Sequence, residues 1–427
     1  MSAETGGAGT GAGLATAGGG LPKGSPTGPA RLTRALTLPL VVLYGLGVTI
    51  GAGIYVLIGA AAGAAGSAAP LAFVLAALVM APSGLSFAEL AQRMPVSAGE
   101  AAYAAAAFRS RLLTLAVGLM VAVIGIVSAS AISLGAVGYI RVFLDWPHAV
   151  LTPLVVLAMG AVAAWGIRES VSLAAVMTLI EIGGLVIVIL AGLIWGSGAD
   201  TIVATEAAGT IPAGGLFTAS LLAFFAFVGF ESIVNVAEEV KDPLRTLPRA
   251  IFLTLVVATA LYVLVTLAAL RTVSPGELAG SEAPLALVFS RATGGSPAFL
   301  GAIAIIATLN GIVVQFIMAS RVLYGLADRG EMPALLARVS PVTHTPLVAT
   351  GLVVALAFGL AASFPIAGLA EWTSRLTLLV FGIVNAALLV LKWRGEPSPE
   401  GAMNLPIAVP AAGTVVSAGF LLAEWLV

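Results

Sequence analysis

The stretch LYGLGVTIGAGIYVLIGAAAG, Leu43 to Gly63, decides how the rest of the chain is read. It is long and apolar enough to cross a membrane, yet five glycines lie between Gly45 and Gly59, and two of them bracket one alanine in Gly51-Ala52-Gly53. Each glycine costs a helix roughly 0.5–1 kcal/mol relative to alanine. In hydrocarbon an unwound turn also strands backbone groups, unless it lines a cavity or holds a ligand. Taken alone, the glycines have two readings. One is close helix packing through small residues. The other is a broken helix whose second half aims its N-terminal amides at the membrane midplane, where a carboxylate would bind.

The composition supports a membrane setting. Of 427 residues, 60% are hydrophobic and 9% charged, where a soluble domain carries about 25% charged. The mean hydropathy is +1.10, so the chain reads as an all-α integral membrane protein in the lipid bilayer. A net charge of −1 gives no footprint for a nucleic-acid partner. With no cysteine, thiolate metal sites, disulfides and a cysteine nucleophile are excluded. Residues 1–30 are rich in Gly, Ala, Ser, Thr and Pro and lack the charged start and apolar run of a signal peptide. Residues 1–35 are therefore expected to form a flexible cytoplasmic tail.

A span needs about 20 mostly apolar residues. About eleven such segments are expected, near 38–60, 68–92, 112–144, 149–167, 171–196, 215–236, 249–271, 297–326, 346–364, 368–392 and 405–426. Only helices satisfy their backbone within one segment, and no alternating barrel pattern appears. With the N-terminus in the cytoplasm, only Arg141, Arg271, Arg291 and Arg375 of the 19 basic residues fall outside. The positive-inside rule thus expects that orientation, in the cell's inner (cytoplasmic) membrane.

The sixth segment reads LLAFFAFVGFESIVNVAEEVKDPLRTLPRA. Gly229 interrupts it, and Glu231 follows at membrane depth, where a charge costs at least about 2.5–3.5 kcal/mol. Two interrupted helices five spans apart point to an inverted-repeat transporter with a midplane site. The expected organisation is a first repeat over 36–198 (helices 1–5), a second over 212–395 (helices 6–10), and an additional helix over 404–427.

GVTIGAGIYVLIG, FAELAQRMPVSAGEAAY (Phe87–Tyr103), GIRESVSLAAVMTLIE, AFVGFESIVNVAEEVKDP and ASRVLYGLADRGEMP occur in that order. In these motifs the chain resembles the amino acid–polyamine–organocation (APC) superfamily, over nearly its whole length after residue 35. It differs in Ala98, where a glycine is common, and in reading as eleven spans where many members have twelve. The resemblance implies a 5+5 inverted-repeat, LeuT-like fold with broken helices 1 and 6, and amino acid permease activity. It implies that the substrate carboxylate meets the amides around Gly51, Ala52 and Gly53, with Thr49 nearby. The ammonium would meet carbonyls freed around Phe227 and Gly229, with Phe230 as an aromatic gate. By position, Ile54, Ile124, Ser128, Ser130, Asn310 and Gln315 would contribute to side-chain specificity.

Glu181 and Glu231 read as the only acids deep in the core spans, and are the expected proton-coupling groups. In sodium-coupled relatives of the family, the Glu181 position lies near an ion site; Ser320 with carbonyls near span 1 keeps sodium open as the less favoured coupling ion. Each acid also has a plain structural reading as a hydrogen-bonding group of the bundle. Glu89 is expected to pair with Arg93, and Glu238–Arg249 to act as a charged structural clamp.

Rival classes fare worse. The two histidines, His148 and His344, are expected in loops on opposite sides of the membrane, so neither a zinc site nor a serine–histidine dyad is available. Asp145, Asp200, Asp242 and Asp328 lie in or beside loops, which removes an intramembrane aspartyl dyad. No nucleotide-binding loop of the G-x-x-x-x-G-K type occurs. No cofactor, metal or enzyme activity is expected. A channel fits the paired helix breaks less well than a small occluded site does. The expected function is alternating-access, proton-linked transport of amino acids, with a cationic amino acid or polyamine exchanger as the alternative.

Overall fold

The structure, a computed structural model, describes residues 34, 36–51, 53–95, 99–165, 171–196 and 213–423. The expected tail, Ala52, Ala98 and the ends of several loops lie outside the described residues. The first apolar segment forms two helices, α1 (Leu38–Ile50) and α2 (Gly53–Ala65). Then follow α3 (Ala69–Arg93), α4 (Gly99–Phe108), α5 (Arg111–Ile140), α6 (His148–Trp165) and α7 (Val171–Trp195). The sixth segment is again two pieces, α8 (Ala213–Phe227) and a 3-10 helix over Phe230–Glu239. The rest comprises α9 (Pro243–Leu270), α10 (Pro275–Gly280), α11 (Pro284–Thr293), α12 (Ala298–Asp328), α13 (Leu347–Ser363), α14 (Ile366–Trp393) and α15 (Ala408–Ala423).

Eight helical stretches are long and apolar enough to cross a membrane, with Leu38–Ile50, Leu347–Ser363 and Ala408–Ala423 as shorter apolar helices. Each expected segment coincides with one of these helices or, for the first and sixth, with a broken pair. The short helices α4, α10 and α11 fall where loops were expected. The packing is that of a lipid-facing bundle. Leucines such as Leu154, Leu157, Leu190 and Leu267 point outward, while alanines, glycines and aromatic rings fill the interior. Lipid is as apolar as leucine, so close contact of small residues rather than water exclusion holds such helices together.

The two breaks meet. Val228 and Gly229 separate the halves of the sixth segment, and Gly229 has φ +133°, which a side chain would resist. Gly229 lies against the Val48 carbonyl of α1. On the other side of the same junction, Gly53 lies so close to the Ala226 backbone that any side chain at 53 would collide with it. Gly53 is therefore a packing glycine as well as a helix start.

Each break frees carbonyls that a continuous helix would have bonded. The hydroxyl of Tyr262 in α9 lies 2.8 Å from the Thr49 carbonyl oxygen and 2.7 Å from that of Ala226. Its single proton is thus shared between the free end of α1 and the free end of α8. The tip of α2 is tied in a similar way. Tyr55 donates to the Glu181 backbone carbonyl at 2.6 Å, and Tyr139 to the Tyr55 carbonyl at 2.5 Å.

At the other end of α3 a buried polar knot fastens the last helices to the bundle. Glu89 is fully buried and accepts from Arg93 at 2.8 Å, as expected, and also from Lys392 at 2.7 Å and the Leu405 amide at 2.9 Å. Nearby, the segment before α1 pairs with the end of the 3-10 helix through Leu36 and Val240, the only β-bridge among the described residues.

Replacing Tyr262 by phenylalanine removes only the hydroxyl. We expect a loss of roughly 1–3 kcal/mol, because buried carbonyls are left without a donor. Thermal unfolding of the detergent-purified variant should show a midpoint lower by a few degrees. An unchanged midpoint would mean that the carbonyls find another donor.

Candidate functional site

A cavity opens where the two breaks meet. Thr49 from the last turn of α1 and Gly53 from the first of α2 line it, with Phe225 and Val228 of the sixth segment, Ser128 of α5, and Asn310 and Gln315 of α12. Among the described residues, none of those lining it is charged. It has a positive helix terminus at Gly53 and loosened backbone at Val228, so an anion and an N–H donor group could each find complementary backbone partners there. Ser128 accepts from the Gln315 amide at 3.3 Å, which spans the cavity between α5 and α12. Thr49 is 2% exposed and its hydroxyl has no partner, so an unused hydrogen-bonding group lies in the wall.

The sequence-derived residues separate into groups. Thr49, Gly53, Ser128, Asn310 and Gln315 line the cavity. Gly229 and Glu231, with Ile124, line a second, adjoining cavity. Ile54 and Phe227 are buried but line neither, and the Phe227 ring packs on Tyr262 at 4.9 Å. Ser130 donates to the Ile126 carbonyl within its own helix. Phe230 is also away from both cavities, in an edge-to-face cluster with Phe87 at 5.7 Å and Phe381 at 5.4 Å. Its place beside the first cavity is taken by Phe225. Ser320 is buried and donates to the Ile317 carbonyl at 3.0 Å.

Glu181 of α7 is fully buried, and neither carboxylate oxygen makes a hydrogen bond of regular geometry. Asn310, which lines the first cavity, stands beside it. Glu181 also faces Gly51. A side-chain carbon at Gly51 would stand 3.9 Å from the carboxylate and 3.6 Å from the Ala307 carbonyl. The acid thus touches both the break in the first segment and the cavity wall. Glu231 is held differently: its carboxylate accepts from the Gly229 amide at 2.8 Å and so stabilises the second break.

Three residues of this region were not anticipated. Tyr262 could have been suspected as a lone polar-tipped ring in the middle of a seventh apolar segment. Phe225 gives no signal within the run LLAFFAF. Glu100 sits in what reads as a loop, yet α4 turns it inward, where it is 7% exposed. Its signal was one acid within the otherwise apolar run GEAAYAAAAF. Glu89, near the end of α3, and Glu100, outside the long apolar helices, are buried as well as Glu181.

Comparison with known proteins accords with this geometry. Residues 36–425 match the family model described as amino acid permease. The branched-chain amino acid permease BcaP of Bacillus subtilis is 29% identical over 404 residues, covering 89% of this chain and 85% of that protein. The uncharacterized transporter Rv1999c of Mycobacterium tuberculosis is 34% identical over 374 residues, covering 85% and 81%. The vacuolar cationic amino acid transporter 4 of Arabidopsis thaliana is 29% identical over 388 residues, covering 86% of this chain and 64% of the plant protein.

The unpartnered Thr49 hydroxyl gives a direct test of the cavity. In Thr49→Val the empty protein should melt at an unchanged or slightly higher temperature, since an unsatisfied buried group is removed. Amino acid affinity should fall by about 0.5–1.5 kcal/mol, roughly twofold to tenfold, as the ligand loses that contact. Thermal unfolding reads the first effect and titration calorimetry the second, each against wild type, and wild-type affinity would place the ligand away from Thr49.

Proposed function

The chain belongs to the amino acid permease family, and on that premise we propose that it is a secondary active transporter coupling amino acid movement to protons. Membership makes it a multi-pass membrane transporter of amino acids and not an enzyme. The further reading is of a 5+5 inverted repeat, LeuT-like, with residues 36–198 and 212–395 as the two halves. The helix at 404–427 lies outside both repeats. Alternating access would expose the cavity first to one side of the cytoplasmic membrane and then to the other, with the N-terminus in the cytoplasm.

The observation that carries this reading is the meeting of two broken helices at one buried, uncharged cavity beside an unpartnered carboxylate. The amides at the start of α2 suit the α-carboxylate, and carbonyls near Val228 and Gly229 suit the α-ammonium. The absence of charge from the lining favours a substrate with a neutral side chain. BcaP, by its name a branched-chain amino acid permease, supports the same choice. The cationic reading draws on the name of the plant relative and on the second cavity, which carries acids.

Coupling is assigned to Glu181. An ionised carboxylate there has no counter-charge, and a proton on it removes that charge. Asn310 touches both the acid and the cavity, so filling the cavity and occupying the acid influence one another through a single side chain. Glu231, bound to the Gly229 amide, is the second carrier in this scheme. Sodium is the less favoured ion: the Ser320 hydroxyl is already engaged with its own helix.

In proteoliposomes, an inward proton gradient without sodium should drive uptake. In Glu181→Gln the gradient-driven rate should fall by about tenfold or more, equivalent to about 1.4 kcal/mol, while counterflow persists. Uptake driven by sodium alone, or an unchanged proton dependence in Glu181→Gln, would overturn the proton assignment.

A further inference from the structure

The stretch Phe230–Glu239 is wound as a 3-10 helix for ten residues. Runs of that form longer than three or four residues are uncommon, because their hydrogen bonds are poorly aligned, and such a stretch within a longer helix often marks a hinge. The sequence, FESIVNVAEE, has the period of an α-helix instead. Its apolar residues Phe230, Ile233, Val234 and Ala237 fall at i, i+3, i+4 and i+7, and all four are buried. Three residues per turn would gather Phe230, Ile233, Val236 and Glu239 on one stripe, which puts an acid on the apolar face and turns Val234 and Ala237 aside. The segment is therefore held in a winding that its own pattern does not favour.

What holds it is visible at its far end. The Leu36 amide donates to the Glu239 carbonyl at 3.0 Å, and the Lys241 amide to the Leu36 carbonyl at 2.8 Å. These two bonds form the bridge between Leu36 and Val240, both buried. They clasp the chain just before α1 to the chain just after the 3-10 helix, at the ends of both elements remote from the breaks. Along their length the two elements also interlock, since Ile233 occupies the space that a side chain at Gly45 of α1 would need.

Beyond the clasp the chain turns sharply into α9 through Asp242, whose φ is +48° and ψ +66°. A residue with a side chain rarely adopts this left-handed form, and one before a proline, here Pro243, is ordinarily extended. The α9 side of the turn is fixed. The Thr246 hydroxyl donates to the Lys241 carbonyl at 2.8 Å, and the Thr246 amide to the Asp242 carbonyl at 2.9 Å. At the opposite end Gly229, with φ +133°, supplies a second pivot. An unfavoured winding thus lies between two pivots and is closed by two backbone bonds, the arrangement of a segment with a second state.

We infer that Phe230–Glu239 is a two-state segment, 3-10 in this structure and α-helical in the alternate state of the transport cycle, and that the Leu36–Val240 bridge is the clasp that keeps it in the first. The inference rests on the proposed function in taking alternating access as that cycle. An α-helix rises about 1.5 Å per residue against about 2.0 Å for the 3-10 form, and turns about 100° against about 120°. From Phe230 to Val240, rewinding therefore draws the far end in by about 5 Å and rotates it by about 200°. The bridge does not survive that change, so α1 and the segment part on the side of the bundle where Leu36 lies. Ser232 and Asn235 line the second cavity, so the same rewinding reshapes the space beside the first one.

The chain has no cysteine, so introduced thiols react alone. Leu36→Cys combined with Val240→Cys places two thiols on opposed residues of the bridge, within reach of a disulfide. In proteoliposomes the oxidised double variant should take up leucine at least about tenfold more slowly than the same protein after reduction. Undiminished uptake with the disulfide in place would overturn the inference. Spin labels at Lys241→Cys and Leu112→Cys, both exposed positions, read the winding of the detergent-purified full chain without any transport. We expect two label distances that differ by up to about 5 Å, with leucine changing their proportions. Leu36→Pro, which lacks the amide that bonds Glu239, should raise the minor population severalfold. A single distance, unchanged by leucine and by Leu36→Pro, would also overturn the inference. If the reduced protein takes up no leucine, the reading of function is removed; two distances that respond to Leu36→Pro would still sustain the two-state segment, and one distance would end it.

Discussion

The structure depends on how two interrupted helices satisfy their backbones where no water is available. Breaking α1 from α2 and α8 from the 3-10 helix frees carbonyls and amides at the centre of the bundle. Each such group costs several kcal/mol in hydrocarbon if left alone. Tyr262 answers part of that cost by donating to the Thr49 and Ala226 carbonyls, and Glu231 answers another part by accepting from the Gly229 amide. Among the described residues, the Thr49 hydroxyl in the wall of the first cavity and the Glu181 carboxylate beside it are left without a regular hydrogen bond.

The same constraint relates the two cavities and the acids. Glu181 faces Gly51 and stands by Asn310, so it adjoins both the first break and the first cavity. Glu231 holds the second break and lines the second cavity, as does Glu100. Val228 and Gln315 separate the two spaces. Glu89, by contrast, is fully matched by Arg93, Lys392 and the Leu405 amide. It fastens the segment before α15 to α3, and no part of it is left over for a ligand.

Much of this was legible in the chain, because membrane helices leave a strong imprint. Segments of about 20 apolar residues located the long helices, and Gly51-Ala52-Gly53 and Gly229 located both interruptions. Glu89 with Arg93 was readable from their i, i+4 spacing. Hydropathy does not distinguish a loop from a short helix, which is why α4 and its inward-turned Glu100 were missed. Nor does a sequence indicate which face of a helix meets a cavity. Phe230 and Phe225 are both aromatic residues near the same break, yet the former packs on Phe87 and Phe381 while the latter lines the cavity. Tyr262 was hidden for a related reason, since its role depends on two carbonyls more than thirty residues distant from it in sequence.

The central claim is that backbone groups freed at the two breaks hold the two ends of an amino acid. It is tested most directly by comparing, on the purified wild-type protein, the affinities of one neutral amino acid, its amide and its deaminated acid. The account predicts that each analogue binds at least about tenfold more weakly than the parent, because each leaves a buried polar group unpaired at about 1–3 kcal/mol. Equal affinity for the amide would contradict a carboxylate site at the start of α2, and equal affinity for the deaminated acid would contradict an ammonium site at Val228 and Gly229.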